Sequence, residues 1–303
     1  MRSLGISNKH RLQLCSGLTL IELMVSLVIG LLLAIVASSS YLYSKQAYNA
    51  VAETTQAEEN GRFALNLLVK NVQSAGYVAV TLSTSPEPAM AIKLTGCDFG
   101  MSAPQTASSQ SDFSCLTSTP ANTSRSASIG VFYETDPPGA GLTGVDCLGN
   151  DAVSVGTKFE VRARFFVSTS TVQTQYGTTT MGQLSCVTDP TGASTGSFQS
   201  QPLVPGIHQL AVNYLIPSGI APTGDSAVLT AQRSRTAAQL SAANEWVRVT
   251  GVELCVLSKS IQSSGNDTNT MATDCYGNQF LPPPSQTFRR FTTIVNLRNR
   301  TLP

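Results

Sequence analysis

The sequence predicts an α+β fold, in which one long N-terminal helix packs on an antiparallel β-sheet with long disulfide-tied loops. Three observations predict it. An apolar run near the N-terminus continues into a proline-free segment whose apolar residues have helical spacing. Segments that alternate apolar and polar residues begin only at Ile129. Six widely spaced cysteines follow the apolar run.

The composition limits the classes of function. The chain has 303 residues, of which 42% are hydrophobic, enough for one sizeable domain or two small ones. The net charge is +1 and only 12% of residues are charged, so no broad basic surface and no nucleic-acid partner are expected. Polar uncharged residues take the place of charges, as is common in β-rich proteins outside the cytoplasm.

The first 17 residues are basic. They carry Arg2, Lys9, His10 and Arg11 and no acidic residue. Such a positive flank stays on the cytoplasmic side of a membrane. The sequence therefore predicts a leader peptide over residues 1–17.

Glu22 is the only formal charge between Leu12 and Ser44. A carboxylate within a membrane span costs about 2.5–3.5 kcal/mol at the helix centre, and less near the end of the helix. Cleavage after Gly17 would place the new amino group of Leu18 one helical turn from that carboxylate. The amino group of the same or a neighbouring chain could then pair with it.

A secretory signal remains an alternative. Its cleavage would follow the apolar region, where Ala37–Ser40 offers a small-x-small site. That interpretation leaves Glu22 unexplained, as does a plain signal anchor.

The basic leader, Gly17 and the following Leu-Thr-Leu-Ile-Glu-Leu together resemble the type IV prepilin family. Leu18 departs from the phenylalanine usual at the first mature position. The resemblance implies a pilin-like fold, cleavage after Gly17 by a prepilin peptidase, and N-methylation of Leu18. It also implies that Glu22 aids subunit docking in a helical filament.

One helix is expected from about Leu18 to Ala75, with Gly76 as its stop. The 26 residues Leu18–Tyr43 would span about 39 Å and cross the inner membrane before assembly. Beyond them the pattern becomes amphipathic, with apolar residues four apart, and Asn60–Gly61 is a candidate kink. The apolar pairs are Phe63/Leu67, Ala64/Leu68/Val72 and Leu65/Val69.

Cys15 lies in the leader, which leaves an even number of cysteines in the processed chain. Their spacing lacks the paired form of a zinc site and indicates three disulfides formed in an oxidising compartment. Free buried thiols are the alternative, and six cysteines allow 15 connectivities. Pairing of sequence neighbours is favoured, which gives Cys97–Cys115, Cys147–Cys186 and Cys255–Cys275.

After the helix, residues 77–128 are interpreted as a variable loop region with at most short strands. Residues 129–303 are interpreted as a β-rich globular domain. Its strands are expected around Ile129–Tyr133, Phe159–Val167, Leu184–Cys186, Leu210–Ile216, Trp246–Leu257 with a bulge at Gly251, and Phe291–Leu297.

Later segments are similar to the PilW-like minor pilins. They are Glu59–Ala64 with Ala75–Tyr77, Asp146–Gly149, Leu203–Ile207, Val249–Leu257 and Arg289–Arg300. The resemblance implies a structural subunit that primes pilus assembly and sits near the tip, in pili that serve twitching motility and adhesion. Its implied partners are other minor pilins, the major pilin, a tip-associated adhesin and the prepilin peptidase.

No catalytic, cofactor or metal site is expected. Beyond the leader the only histidine is His208, which is interpreted as a half-buried strand residue. Asn266–Asn269 is interpreted as a polar turn because it lacks the acidic residue that closes a calcium loop. The arginines of the last strand are interpreted as a charged sheet edge, and Trp246 and Tyr214 as core residues.

Two other functions remain open. A type II secretion pseudopilin has the same N-terminal motif but works in a different machine. A signal-anchored periplasmic binding domain would never polymerise and would not need the prepilin peptidase.

Overall fold

The computed structural model describes residues 19–78, 94–107, 110–120, 124–135, 144–155, 158–174, 177–188, 198–218, 232–261, 270–283 and 286–299. The expected cleavage position at Gly17 and Leu18 lies outside these residues. So do the turn expected at Asp136–Gly139 and the polar turn Asn266–Asn269.

The chain divides into two compact units, Met1–Asn49 and Ala50–Pro303. Helix α1, Leu20–Ser74, begins in the first unit and ends in the second. It is helical throughout, including the candidate kink at Asn60–Gly61. It ends within two residues of the expected stop, and Gly76 has the left-handed φ of +73° that favours glycine after a helix.

The remaining elements all belong to the second unit. The strands are β1 Leu94–Cys97, β2 Ser128–Thr135, β3 Val153–Val155, β4 Lys158–Thr174, β5 Gly177–Thr188, β6 Gln199–Pro205, β7 Ile207–Pro217, β8 Gln232–Arg235, β9 Gly251–Lys259, β10 Ala272–Thr273, β11 Gln279–Phe280 and β12 Phe288–Asn296. Helix α2 is Ala237–Ala243, and short 3-10 turns cover Gln110–Phe113 and Trp246–Arg248.

The described strands pair in an antiparallel manner. The first sheet has the order β1-β2-β4-β5-β6, with β3 also paired to β4, and the second has the order β12-β9-β7-β8, while β10 and β11 form a separate pair. The chain passes from the first sheet to the second at a single residue, Gly206, which has a φ of +75°. Its carbonyl accepts the N–H of Lys259 at 2.7 Å, so the crossing is tied to β9 by a hydrogen bond.

The second half of α1 contributes one face to the core. The residues of this face are buried and recur three or four apart, which places them on one side of a helix: Glu53, Ala57, Gly61, Ala64, Leu68 and Val72. Of the apolar pairs expected from the sequence, the Ala64/Leu68/Val72 set forms this face, whereas Phe63 is 58% exposed. The core beneath it combines residues from both sheets, among them Phe165, Tyr214 and Leu254.

Two strand predictions were wrong in detail. Residues 246–248 form a 3-10 turn and β9 begins only at Gly251, so the apparent change of phase marks the start of the strand. Leu184–Cys186 belongs to a twelve-residue strand that pairs with β4 over its whole length. The polar Thr and Ser residues of this hairpin hide its length from a search for apolar alternation.

The structure contains three disulfides, and they join sequence neighbours. Cys97 pairs with Cys115, Cys147 with Cys186, and Cys255 with Cys275. The first closes the loop after β1. The second links a turn to β5 of the first sheet, and the third links a turn to β9 of the second sheet. The described residues between 94 and 120 are mainly loop, with one four-residue strand and one short 3-10 turn.

Candidate functional site

The apolar half of α1 is a candidate assembly surface. Its large side chains are exposed along the whole described segment: Leu20 is 79% exposed, Leu33 65% and Tyr43 73%. Among the described helices it is the one long and apolar enough to cross a membrane. Water does not stabilise so much apolar surface, so the segment needs lipid or other apolar helices around it.

Glu22 lies in the first turn of this helix. Its backbone N–H donates to the side-chain oxygen of Thr19 at 3.3 Å, and the N–H of Leu23 donates to the carbonyl of Thr19. A threonine immediately before a helix and a glutamate three residues later form the pattern of a capping box. A carboxylate in the first turn also interacts favourably with the helix dipole. The sequence pattern and the position of Glu22 therefore suit the start of a helix, apart from any role toward another subunit.

The amphipathic half of α1 meets the last strand at a glycine. The ring of Phe291 occupies the space where a Cβ at position 61 would lie, and the hydroxyl of Ser258 would be 3.1 Å away from it. Nearby, Arg289 pairs with Glu58 of the helix at 3.4 Å, with both side chains partly exposed. Arg289 is one of the arginines that the sequence places on a charged strand edge, and its side chain pairs with helix α1.

The end of α1 is held by two parts of the chain distant in sequence. The N–H of Gly76 donates to the carbonyl of Phe132 in β2 at 3.0 Å. The side-chain amide of Asn299 donates to the carbonyl of Gln73 at 3.1 Å. The second bond satisfies a carbonyl of the kind that a helix terminus leaves unpaired.

A five-residue turn occurs twice, and it was not predicted from the sequence. Asp146–Asn150 and Asp274–Asn278 share the pattern Asp-Cys-x-Gly-Asn. In both, the aspartate N–H donates to the asparagine carbonyl, the glycine N–H donates to the aspartate carbonyl, and the glycine has a positive φ. In both, the cysteine forms a disulfide to a strand. The signal that could have revealed the pair is the internal repeat itself.

The aspartate side chain organises each turn. Asp146 accepts the N–H groups of Leu148 and Asn150, and Asp274 accepts those of Tyr276 and Asn278. The asparagine side-chain amide donates to the second aspartate oxygen in each case. The carboxylate of Asp146 also accepts a bond from the buried hydroxyl of Thr188 at 2.8 Å.

The second of these turns contacts a stacked arginine. The guanidinium of Arg125 lies 4.2 Å from the ring centre of Tyr276 and 4.5 Å from that of Phe99. Its Nε donates to the carbonyl of Asp98. Burial is the main cause that raises the pKa of Tyr276 to about 12. This cluster connects the loop after β1 to the turn before β11.

The structure brings Ser124 and His208 together at the wall of a groove. The Ser124 hydroxyl lies 2.8 Å from Nε2 of His208, and the ring of Phe288 contacts the imidazole edge to face. Burial, and secondarily the nearby Lys259 cation, lowers the pKa of His208 to about 4. An imidazole with such a low pKa is a weak general base at neutral pH, so the pair lacks the basicity that would activate a serine nucleophile.

Three further residues were singled out in the sequence: His208, Tyr214 and Trp246. His208 is a half-buried strand residue, and Tyr214 is fully buried with Trp246 packed edge to face against it. Within the described ranges, no group of three or more His, Cys, Asp or Glu residues could hold a metal ion. Glu22 and the disulfides are in the described part of the chain; Gly17 and Leu18 are not.

Two family models match the chain. Residues 13–38 match the prokaryotic N-terminal methylation motif, a range that includes Gly17, Leu18 and Glu22. Residues 164–299 match the model described as type IV pilus-assembly protein W, which covers most of β4 and every later strand. Together these two matches support a PilW-like type IV pilin. Neither the curated proteins nor the solved structures gave a match.

The two family matches suggest what the exposed apolar helix is for. The methylation motif lies on the leader and the exposed apolar segment, and together they indicate a membrane-anchored component of a pilus. The PilW match lies on the sheets that the amphipathic half of α1 packs against. The family is one of structural pilus subunits, whose interactions are with other pilus components.

Proposed function

We propose that this chain is a minor pilin that primes assembly of a type IV pilus and sits at or near its tip. Its partners there are other minor pilins, the major pilin and a tip-associated adhesin, and pili of this kind serve twitching motility and adhesion. The single observation that carries the proposal is the exposed apolar helix that holds one carboxylate and leads into a disulfide-stabilised β-rich unit.

Processing is the first step of the proposed function. The leader, residues 1–17, is removed by the prepilin peptidase, and the new N-terminal residue Leu18 is N-methylated. The match to the methylation motif over residues 13–38 supports this order of events. No metal or cofactor is required of this chain, because the chemistry belongs to the processing enzyme.

Location follows from the charge of the leader and from the disulfides. The basic leader stays in the cytoplasm, residues 18–43 cross the inner membrane, and the β-rich unit lies in the periplasm. Three disulfides suit that oxidising compartment. After assembly the same apolar segment exchanges lipid for the helices of neighbouring subunits in the pilus at the cell surface.

Glu22 is the docking residue in this proposal. In lipid its charge is costly, and the cost is reduced when a cation of a neighbouring subunit approaches. The N-terminal amino group of an adjacent pilin is such a cation. A subunit that lacks this pairing would still enter the membrane but would enter the filament less readily.

The test separates the charge of Glu22 from its part in helix capping. Glu22→Ala removes both, whereas Glu22→Gln keeps a side chain that can complete the capping box. Thr19→Ala is the matched control that removes the cap and keeps the charge. With each variant expressed at normal levels, surface pili are counted. We expect few pili from both Glu22 variants and near-normal numbers from Thr19→Ala.

The opposite result would contradict the docking role. Normal piliation with Glu22→Gln and reduced piliation with Glu22→Ala would leave helix initiation as the only role of Glu22. Normal piliation with both variants would remove any role in assembly. Isolation of the chain with secretion components instead of pilus components would assign it to a pseudopilus.

A further inference from the structure

A groove on the β-rich unit has no role in the filament proposal. It has a volume of about 780 Å³, within the range of ligand-binding clefts. One wall is the disulfide-closed loop Phe99–Thr106, and the other contains Ser124, His208 and Lys259. Residues 166–169 of β4 also line the groove, together with Thr180 and Gly182 of the paired strand β5.

One edge of β4 is open over much of its length. Strand β2 pairs with β4 only as far as Ile129 opposite Phe165, whereas β5 pairs with β4 to its last residue. Among the described residues, nothing pairs with the β2-side edge of residues 166–174. Nine residues of strand span about 30 Å, so the open edge extends beyond the groove.

This edge lacks the features that usually prevent another strand from pairing. The sequence from 166 to 174 is Phe-Val-Ser-Thr-Ser-Thr-Val-Gln-Thr, with no charge and no proline. Natural edge strands are commonly protected by charged residues, prolines or bulges. The polar groups of Ser168 and Ser170 are engaged with Ser185 and Gln183 of β5. The unpaired backbone of the edge is available to another strand.

The wall opposite is already ordered. Cys97–Cys115 closes the loop, and the N–H groups of Ser102 and Ala103 donate to the carbonyls of Ser114 and Asp112, both at 3.0 Å. A preformed wall reduces the entropy that a ligand must lose on binding.

One positive charge lines the groove. Of its described lining residues, Lys259 alone carries a formal charge at neutral pH, since burial and the lysine keep His208 neutral. No carboxylate in the described part of the chain forms an ion pair with Lys259. A half-buried ammonium group without a counter-ion favours a negatively charged ligand.

We propose that this groove binds an extended peptide segment of a partner protein, which adds as a strand to the open edge of β4 and places a carboxylate against Lys259. Backbone hydrogen bonds to the edge would supply affinity, as in other cases of strand addition, and the charge pair would set the position. The inference goes beyond the assembly role, and its test uses no filament, so failure of either leaves the other standing.

The experiment uses the full chain in detergent micelles and synthetic nine-residue peptides. Each peptide alternates Thr and Val and carries one Asp, which is placed at a different position in each of the set. A matched set has Asn in place of Asp. Binding is measured by fluorescence anisotropy, and amide hydrogen exchange locates the bound peptide.

The proposal expects at least one Asp peptide to bind about tenfold more tightly than its Asn counterpart, a typical effect of one charge-assisted hydrogen bond. Lys259→Gln should abolish this difference, and Lys70→Gln, a matched lysine outside the groove, should preserve it. Amide exchange of residues 166–174 should slow on binding.

Three results would overturn it. If no peptide binds at millimolar concentration, the open edge of β4 is not a site of strand addition. Equal binding of Asp and Asn peptides would remove the role of Lys259. Competition by acetate or glucuronate, without slower exchange at residues 166–174, would instead assign the groove to small acids.

Discussion

Gly61 of α1 and Phe291 of β12 lie in direct contact, and the aromatic ring fills the space that a side chain at position 61 would need. A Cβ there would also meet the hydroxyl of Ser258. The contact explains why a glycine, usually unfavourable in a helix, lies in the middle of α1. The helix approaches the sheet closely at this point.

A graded pair of substitutions tests this contact. Gly61→Ala gains about 1 kcal/mol of helix propensity and loses a similar amount to overpacking, so we expect little net change. Gly61→Leu cannot be accommodated and should lower the free energy of unfolding by about 2 kcal/mol. The measurement is denaturant unfolding of the full chain in detergent, followed by signals of the β-rich unit.

Two controls accompany that measurement. A Cβ added at Gly30 would meet no described atom within 4 Å, so Gly30→Leu should leave unfolding of the β-rich unit unchanged. Phe291→Ala should recover part of the stability lost in Gly61→Leu, because it frees the occupied space. Equal stability of Gly61→Leu and Gly61→Ala would contradict the close approach.

The two Asp-Cys-x-Gly-Asn turns provide a matched comparison. Asp146 accepts a hydrogen bond from the buried Thr188 hydroxyl in addition to the bonds that Asp274 also makes. Asp146→Asn replaces one carboxylate oxygen by a donor that faces other donors, and we expect a loss of about 1–3 kcal/mol. Asp274→Asn, in a more exposed turn, should cost less than about 1 kcal/mol.

Thermal unfolding of the two variants side by side checks this difference. Both keep the disulfide and the backbone turn, so the comparison isolates the surroundings of the carboxylate. Equal losses of stability would mean that the bond from Thr188 contributes nothing measurable.

His208 makes stability depend on pH in a defined window. Burial lowers its folded-state pKa from 6.5 to about 4, so between these values the unfolded chain binds the proton and the folded chain does not. The contribution is fully present above about pH 6.5 and is lost as the pH falls toward 4, by up to about 3 kcal/mol.

Comparison with His208→Gln measures that contribution. The processed chain would contain no other histidine, because His10 lies in the expected leader. The free energy of unfolding of the wild type should fall more steeply than that of the variant between pH 7 and pH 4.5. Parallel pH profiles would show that His208 is as accessible to protons in the folded chain as in the unfolded one.

The parts of the fold that follow local rules could be predicted from the sequence. Helical spacing from Ala64 to Val72 and strict alternation from Phe159 to Phe165 belong to this class. The glycine stop at Gly76 follows the same logic, because a left-handed residue is needed there whatever the helix packs against. The neighbour pairing of the cysteines was instead one choice among 15 connectivities.

The parts that could not be predicted depend on contacts between distant residues. Gly61 resembles a kink in the sequence because its partner, Phe291, is 230 positions away. The stacking of Arg125 on Phe99 and on Tyr276 joins three segments with no common pattern. The alternation of apolar and polar residues does not show that the chain changes sheets at Gly206, because it marks strands on both sides of this residue without showing which sheet each strand joins. The groove beside β4 lies where β2, which begins only at Ser128, no longer pairs with β4.

The most direct test of the central claim is mass spectrometry of the N-terminus of the chain isolated from cells. Cleavage after Gly17 and a methylated Leu18 are the predicted result, and both should be lost in cells without prepilin peptidase. An N-terminus within Ala37–Ser40, or an uncut leader in cells that have the peptidase, would contradict the account of this chain as a pilus subunit.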